Sequence, residues 1–269
     1  MASKAFPQLI LYRGFDCPGR HVWSPFVNKL ETRLRFVGLR YDPEIGSMRE
    51  APRGKIPYLA VQDDNKTELL ADTTLVTRRL IDNGLMKDLN VDLKPAQKAQ
   101  DLALRALLED KLAFYQTRER WINNYYTMRE GALAALPYVA RLIVGPLAYR
   151  GVTRTLHGQG TGRFTDEEVR EFKREIWESF NDLLVEARGN KVSLAARNED
   201  PNTPFWVLGR AEPTEVDATL YGFIAAGLVC EAAPESRKII TGFPVLVDYA
   251  RRIHDRYFSD YELWKDMQQ

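Results

Sequence analysis

Ser24 precedes Pro25 in the run HVWSPFVNKL, residues 21–30. Serine followed by proline is how a helix begins, with the hydroxyl capping and proline at the first helical position. A helix N-terminus also presents free backbone N–H groups and the positive end of the macrodipole. A hydroxyl placed there can donate to an anion, a thiolate included, as well as cap. No His and Asp stand at a spacing that would make Ser24 a triad nucleophile. Cys17, in FDCPG, is the rival: it follows the first apolar run directly. The helical periodicity starts only at Pro25, so Cys17 falls in the loop, away from the dipole that would lower its pKa. His21, His157 and His254 share no metal-ligand spacing with each other or with the cysteines, and no metal is expected. HGQGTGR lacks the lysine and hydroxyl of a phosphate-binding loop; it reads as a flexible connection.

The elements that would position these groups change character along the chain. Residues 8–15, QLILYRGF, read as a strand, and Val27, Leu30, Leu34 and Val37 recur at helical spacing until Gly38. LRYDPEI reads as a second strand. IPYLAVQ and TELLA form two more across the turn DDNK, and Asp72 or Thr73 caps a helix striped by Leu75, Val76, Leu80 and Ile81. From Pro95 the signals are those of long helices. Thr165 and Glu168, and Thr214 and Asp217, stand at capping-box spacing. The first of these helices carries Val169, Phe172, Ile176, Phe180, Leu183 and Ala187 and is expected to end at Gly189. KVSLAARNEDPNTPFW is expected to be a surface loop. The expected fold class is an α/β domain over residues 1–86 followed by an all-α domain over 95–269, joined near residues 84–97.

Composition narrows the function classes. The chain has 269 residues, a formal net charge of +1 and two cysteines. No global field favours nucleic acid, and no disulfide framework is expected. The N-terminus lacks the apolar core of a signal peptide, so a cytoplasmic setting is expected. Residues 132–149, ALAALPYVARLIVGPLAY, are the most apolar, but Arg141, Pro137 and Pro146 interrupt them. They are expected to form a buried or amphipathic helix, with no stable membrane span.

The order and lengths of these elements resemble the glutathione transferase architecture, a thioredoxin-like domain followed by a helical one. SPFVNKLETRLRFVGLRYD, APRGKIPYL, HGQGTGRF, GRAEPTEVDATLYGFI and RYF resemble the failed-axon-connections and metaxin branch of that superfamily, from about Leu11 to Phe258. That branch often has a cysteine two residues after the proline; this chain has Val27, so no thiol chemistry starts at this helix.

The resemblance implies a set of roles. Ile56-Pro57 would be a cis bond, pairing the Ile56 backbone with extended glutathione. Asp72 and Thr73 would hold its γ-glutamyl end, and Lys55 or Arg53 its glycyl carboxylate. Ser24 would stabilise the thiolate; a shift of one pKa unit needs only ~1.4 kcal/mol. Tyr115, Arg118, Trp121 and Tyr125, three to four apart, would share one helix face and line a pocket for a small hydrophobic or aromatic electrophile. The expected function is conjugation, isomerisation or elimination in detoxification or secondary metabolism, in a possible homodimer. The alternative is a non-catalytic interaction protein with a degenerate glutathione site.

Overall fold

The computed structural model describes residues 6–63, 66–194 and 202–264. Four strands form one mixed sheet in the order β2-β1-β3-β4: β1 Gln8–Tyr12, β2 Asp42–Glu44, β3 Tyr58–Asp63 and β4 Lys66–Ala71. β1 runs parallel to β2 and antiparallel to β3, and β3 pairs antiparallel with β4. Helices α1, Pro25–Phe36, and α2, Thr73–Asp82, cover the sheet. Their apolar stripes meet the alternating inward residues of the strands. Leu9, Leu11, Leu30, Leu34, Leu59, Val76 and Leu80 form that core. This is the α/β thioredoxin-like arrangement that the motifs imply, followed by a mostly helical remainder.

That remainder begins with α3, Pro95–Ala106, which continues through a π-helical turn at Leu107–Leu112 into α4, Ala113–Arg118, and a second π-helical turn at Glu119–Asn123. Then follow α5, Tyr125–Ala132, α6, Tyr138–Gln159, and α7, Asp166–Leu194. Last come α8, Glu215–Val229, α9, Pro234–Thr241, and α10, Pro244–Tyr257. α8 is buried on every side, which is why it is apolar all round. Its Gly222 meets α1 so closely that an added Cβ would stand 2.5 Å from the Lys29 nitrogen and 2.7 Å from the Pro25 carbonyl oxygen. Both capping boxes form, Thr165 with Glu168 and Thr214 with Asp217.

Three expectations change. α7 runs through Gly189 to Leu194: a helix-interior glycine costs only about 1 kcal/mol and ends a helix only where it takes a left-handed conformation, and Gly189 is not among the glycines with positive φ. Phe205 and Trp206, at the end of the expected surface loop, are buried in the helical core; residues 195–201 of that segment lie outside the described residues. Of the apolar stretch 132–149, residues from Tyr138 onward form a helix, and of the two expected alternatives, buried or amphipathic, the buried one does not hold: Val139 and Ile143 are 69% and 63% exposed. The inward side of this helix meets α5 at Gly145, where an added Cβ would lie 2.7 Å from Arg129 and from Tyr125.

Candidate active site

Strand register gathers the motifs. Tyr12, at the end of β1, pairs with Tyr58, at the start of β3, and Tyr58 pairs with Ala71, at the end of β4. The loop to Ser24 therefore leaves the same edge of the sheet at which Pro57 enters and Asp72 leaves. A strand pair can do this only in one register, since a slip of one residue would turn Leu9 and Leu11 out of the core. Gly14 and Ile56 touch at this edge: a Cβ on Gly14 would lie 3.0 Å from the Ile56 side chain, and Gly14 has φ +75°. The Ile56-Pro57 bond is cis. Ile56 is half-buried, Pro57 buried and Lys55 exposed.

Ser24 is the N-cap of α1, with φ −89° and ψ 116°. Its Oγ accepts from the Val27 N–H at 3.4 Å, and its own proton has no acceptor among the described residues. Two side chains fix the approach to it. Buried Asn28 donates to the Val22 carbonyl at 2.9 Å and accepts from the Val22 N–H at 3.1 Å. Arg120 donates to the Trp23 carbonyl at 2.9 Å. Farther back, buried Arg13 donates to the Cys17 and Arg20 carbonyls and pairs with buried Glu31 at 3.1 Å. Burial pushes Glu31 up, while Arg13 and the Tyr261 and Tyr41 hydroxyls pull it back down. The loop between β1 and α1 is thus tied down by residues from both halves of the chain.

Cys17 lies in that loop, half-buried, and burial pushes its thiol up from its ordinary value. Asp72 is exposed, with φ +73°, and accepts from the Thr74 and Leu75 N–H groups at 3.1 Å each. Thr73 is buried, and its Oγ1 accepts from Lys29 Nζ at 3.0 Å. Lys29 also pairs with Glu109 at 2.7 Å. Sequence reasoning missed Lys29 and Glu109. The sequence carried little signal for either: Lys29 stands off the Val27, Leu30 and Leu34 stripe, where a charged residue reads as solvated.

Tyr115, Arg118, Trp121 and Tyr125 do not converge. Tyr115 stacks on Phe172, Arg118 pairs with Asp166 at 3.0 Å, and Tyr125 meets Tyr149 edge-on. Trp121 packs with Trp23 against Met128 and Cys230. The π-helical turn separates them: the Asn124 N–H reaches the Glu119 carbonyl, five residues back, at 3.0 Å. Positions three and four apart no longer share a face through such a turn. The large cleft lies instead between the β1–α1 loop and the helical part. It measures about 920 Å³, and Phe15, Cys17, Val22, Trp23, Leu228 and Trp264 line it. None of the four residues does. Among the described residues no group of His, Cys, Asp and Glu could hold a metal ion.

Known proteins share this fold. The family model of the glutathione S-transferase N-terminal domain matches residues 25–128. The isoprene-epoxide–glutathione S-transferase of Rhodococcus sp. (strain AD45) is 26% identical over 87% of this chain and 92% of its own length. Failed axon connections of Drosophila melanogaster is 24% identical over 94% of this chain, which spans 59% of that protein. The glutathione transferase GSTFuA3 from Phanerochaete chrysosporium superposes with a TM-score of 0.59 at 14% identity, over 97% of this chain and 100% of its own. Residues 25–128 thus match the glutathione S-transferase N-terminal domain, and the chain as a whole has the fold of the glutathione transferases.

Proposed function

We propose that this protein is a glutathione-dependent transferase of the serine type. One observation carries the reading: sheet register brings the Ser24 loop, the Ile56-Pro57 entry to β3 and the Asp72–Thr73 start of α2 to one edge. Glutathione spans that edge. Its γ-glutamyl α-carboxylate meets the Thr73 hydroxyl and N–H, its α-amino group meets Asp72, and its backbone runs along Ile56. Lys55 stands at the glycyl end. Ser24 donates its unused proton to the thiolate, assisted by the α1 N–H groups. A thiol near pKa 8.5 is mostly protonated at neutral pH, so one positioned donor changes the fraction of nucleophile. The thiolate adds to, or displaces a group from, a small hydrophobic or aromatic electrophile. The cleft beside Trp23 and Trp264 receives that electrophile. The work belongs to detoxification or secondary metabolism in the cytoplasm.

A thermal-shift titration tests this. Millimolar glutathione is expected to raise the melting temperature, and ultraviolet difference spectra are expected to show a thiolate band. No shift and no retention on immobilised glutathione would refute the reading. That result would favour the second one, an interaction protein with a degenerate glutathione site, to which the likeness to Failed axon connections also points.

A further inference from the structure

α6 turns its apolar side away from the protein. Tyr138, Val139, Leu142, Ile143 and Leu147 are 63%, 69%, 44%, 63% and 60% exposed. Its inner side packs on α5 through Gly145, where an added Cβ would stand 2.7 Å from the Arg129 side chain and from the Tyr125 hydroxyl. The row Val139, Ile143, Leu147 continues at helical spacing through Arg150 and Arg154. One stripe is therefore apolar in its first half and basic in its second.

The charge on this helix has one sign. α6 carries three arginines and His157 and no Asp or Glu. Arg141 is engaged: it pairs with Glu130 at 2.9 Å and donates to the Ala134 and Leu136 carbonyls. Arg150 and Arg154 are exposed and have no side-chain hydrogen bond or ion pair among the described residues. They line a cavity of about 570 Å³ with Arg118, Tyr149, Thr153 and His157, and no carboxylate lines it. Asp166, the carboxylate nearest in the network, is already bound by Arg118 at 3.0 Å.

We propose that this face of α6 docks on an anionic lipid surface. The apolar half enters the boundary between headgroups and acyl chains, and Arg150 and Arg154 receive lipid phosphates. The helix lies on the membrane and does not cross it. Pro146 interrupts it and arginines follow within the same stripe; no single described helix is long and apolar enough to span. Charge complementarity selects the occupant. A second copy packed antiparallel along the whole stripe would set the apolar half of each helix against the guanidinium groups of the other, with no carboxylate to pair them.

Co-sedimentation of the full chain with vesicles tests the proposal. The protein is expected to pellet with phosphatidylcholine–phosphatidylserine vesicles, far less with phosphatidylcholine alone, and less as salt rises. Arg150→Gln with Arg154→Gln is expected to lower partition onto the mixed vesicles by about thirtyfold. Ile143→Ser with Leu147→Ser is expected to abolish it at an unchanged melting temperature. Equal partition onto both vesicle types, or none onto either, overturns the proposal. So does a concentration-dependent dimer that Ile143→Ser with Leu147→Ser dissociates while vesicles are ignored, since the face then belongs to a second copy.

Discussion

Lys29 Nζ donates to Thr73 Oγ1 at 3.0 Å, and both side chains are buried. The contact crosses from α1 to the start of α2, and Lys29 reaches on to Glu109 at 2.7 Å. Thr219 on α8 donates to the same Glu109 oxygen at 3.3 Å. Because Thr73 Oγ1 accepts from a cation, its own proton is left to donate outward. That is the polarity a carboxylate at the α2 N-terminus requires.

Lys29→Met is therefore expected to weaken glutathione binding in calorimetric titration. It leaves Glu109 with a hydroxyl partner in place of a cation, so urea unfolding is expected to show a loss of about 3 kcal/mol. Adding Glu109→Met is expected to recover most of that stability, because an apolar pair costs no desolvation of charge. The double substitution is not expected to restore glutathione affinity. Recovery of both together would show that Lys29 acts through stability alone.

Ser24→Ala separates capping from chemistry. The cap bond to Val27 is long, at 3.4 Å, so the stability loss is expected to stay at or below about 1 kcal/mol. The thiolate band of bound glutathione is expected to shrink, with the thiol pKa rising by about one unit, or ~1.4 kcal/mol. A spectrophotometric pH titration of the complex reads this directly. An unmoved thiol pKa would leave Ser24 as a cap only.

Gly222→Ala tests the contact that seats α1. The new methyl meets α1 backbone at 2.5 Å, and backbone cannot swing aside as a flexible side chain can. The two helices must separate, which is expected to cost about 1–3 kcal/mol in denaturant unfolding. Since the displaced backbone includes Pro25, directly after Ser24, glutathione affinity is expected to fall in parallel.

His21 gives a pH signature. It is buried against Tyr221, Phe258 and Trp264, and burial, aided by neighbouring His254, lowers its pKa from 6.5 to about 3. The folded state therefore holds it neutral, while the unfolded chain takes up a proton below pH 6.5. Its contribution is complete above pH 6.5 and is lost as pH falls toward 3. Asp217, pushed up to about 6 by burial, acts in the opposite sense between its ordinary 3.8 and 6. Wild-type stability alone would hide both. The difference in unfolding free energy between wild type and His21→Phe is expected to fall by about 1.4 kcal/mol per pH unit from pH 6.5 to 4. A flat difference would place the His21 pKa near its ordinary value.

Much of the fold was legible because periodicity and punctuation are local. The strands, α1, α2 and both capping boxes follow from residue spacing, Ser-Pro and Thr-x-x-Glu or Thr-x-x-Asp signals. The end of α7 was not, since a glycine ends a helix only where its backbone turns left-handed, and residue type alone does not say whether it will. The shared face of Tyr115, Arg118, Trp121 and Tyr125 failed for a sharper reason. An α-helical wheel assumes one period, and a π-helical turn changes it within a stretch whose composition gives no sign of the change.

By itself the sequence determined which residues could carry chemistry: a hydroxyl at a helix start, a proline before a strand, an acid and a hydroxyl before a second helix. It also determined that Cys17 stands in a loop and not at α1. Only the tertiary structure decided that those three motifs meet, because one strand register aligns Tyr12, Tyr58 and Ala71 at a single edge. It alone placed Lys29 behind Thr73, through the crossing of α1 with α8 at Gly222. And it alone turned the apolar side of α6 outward, with Gly145 on the inner side set against Arg129 and Tyr125 of α5.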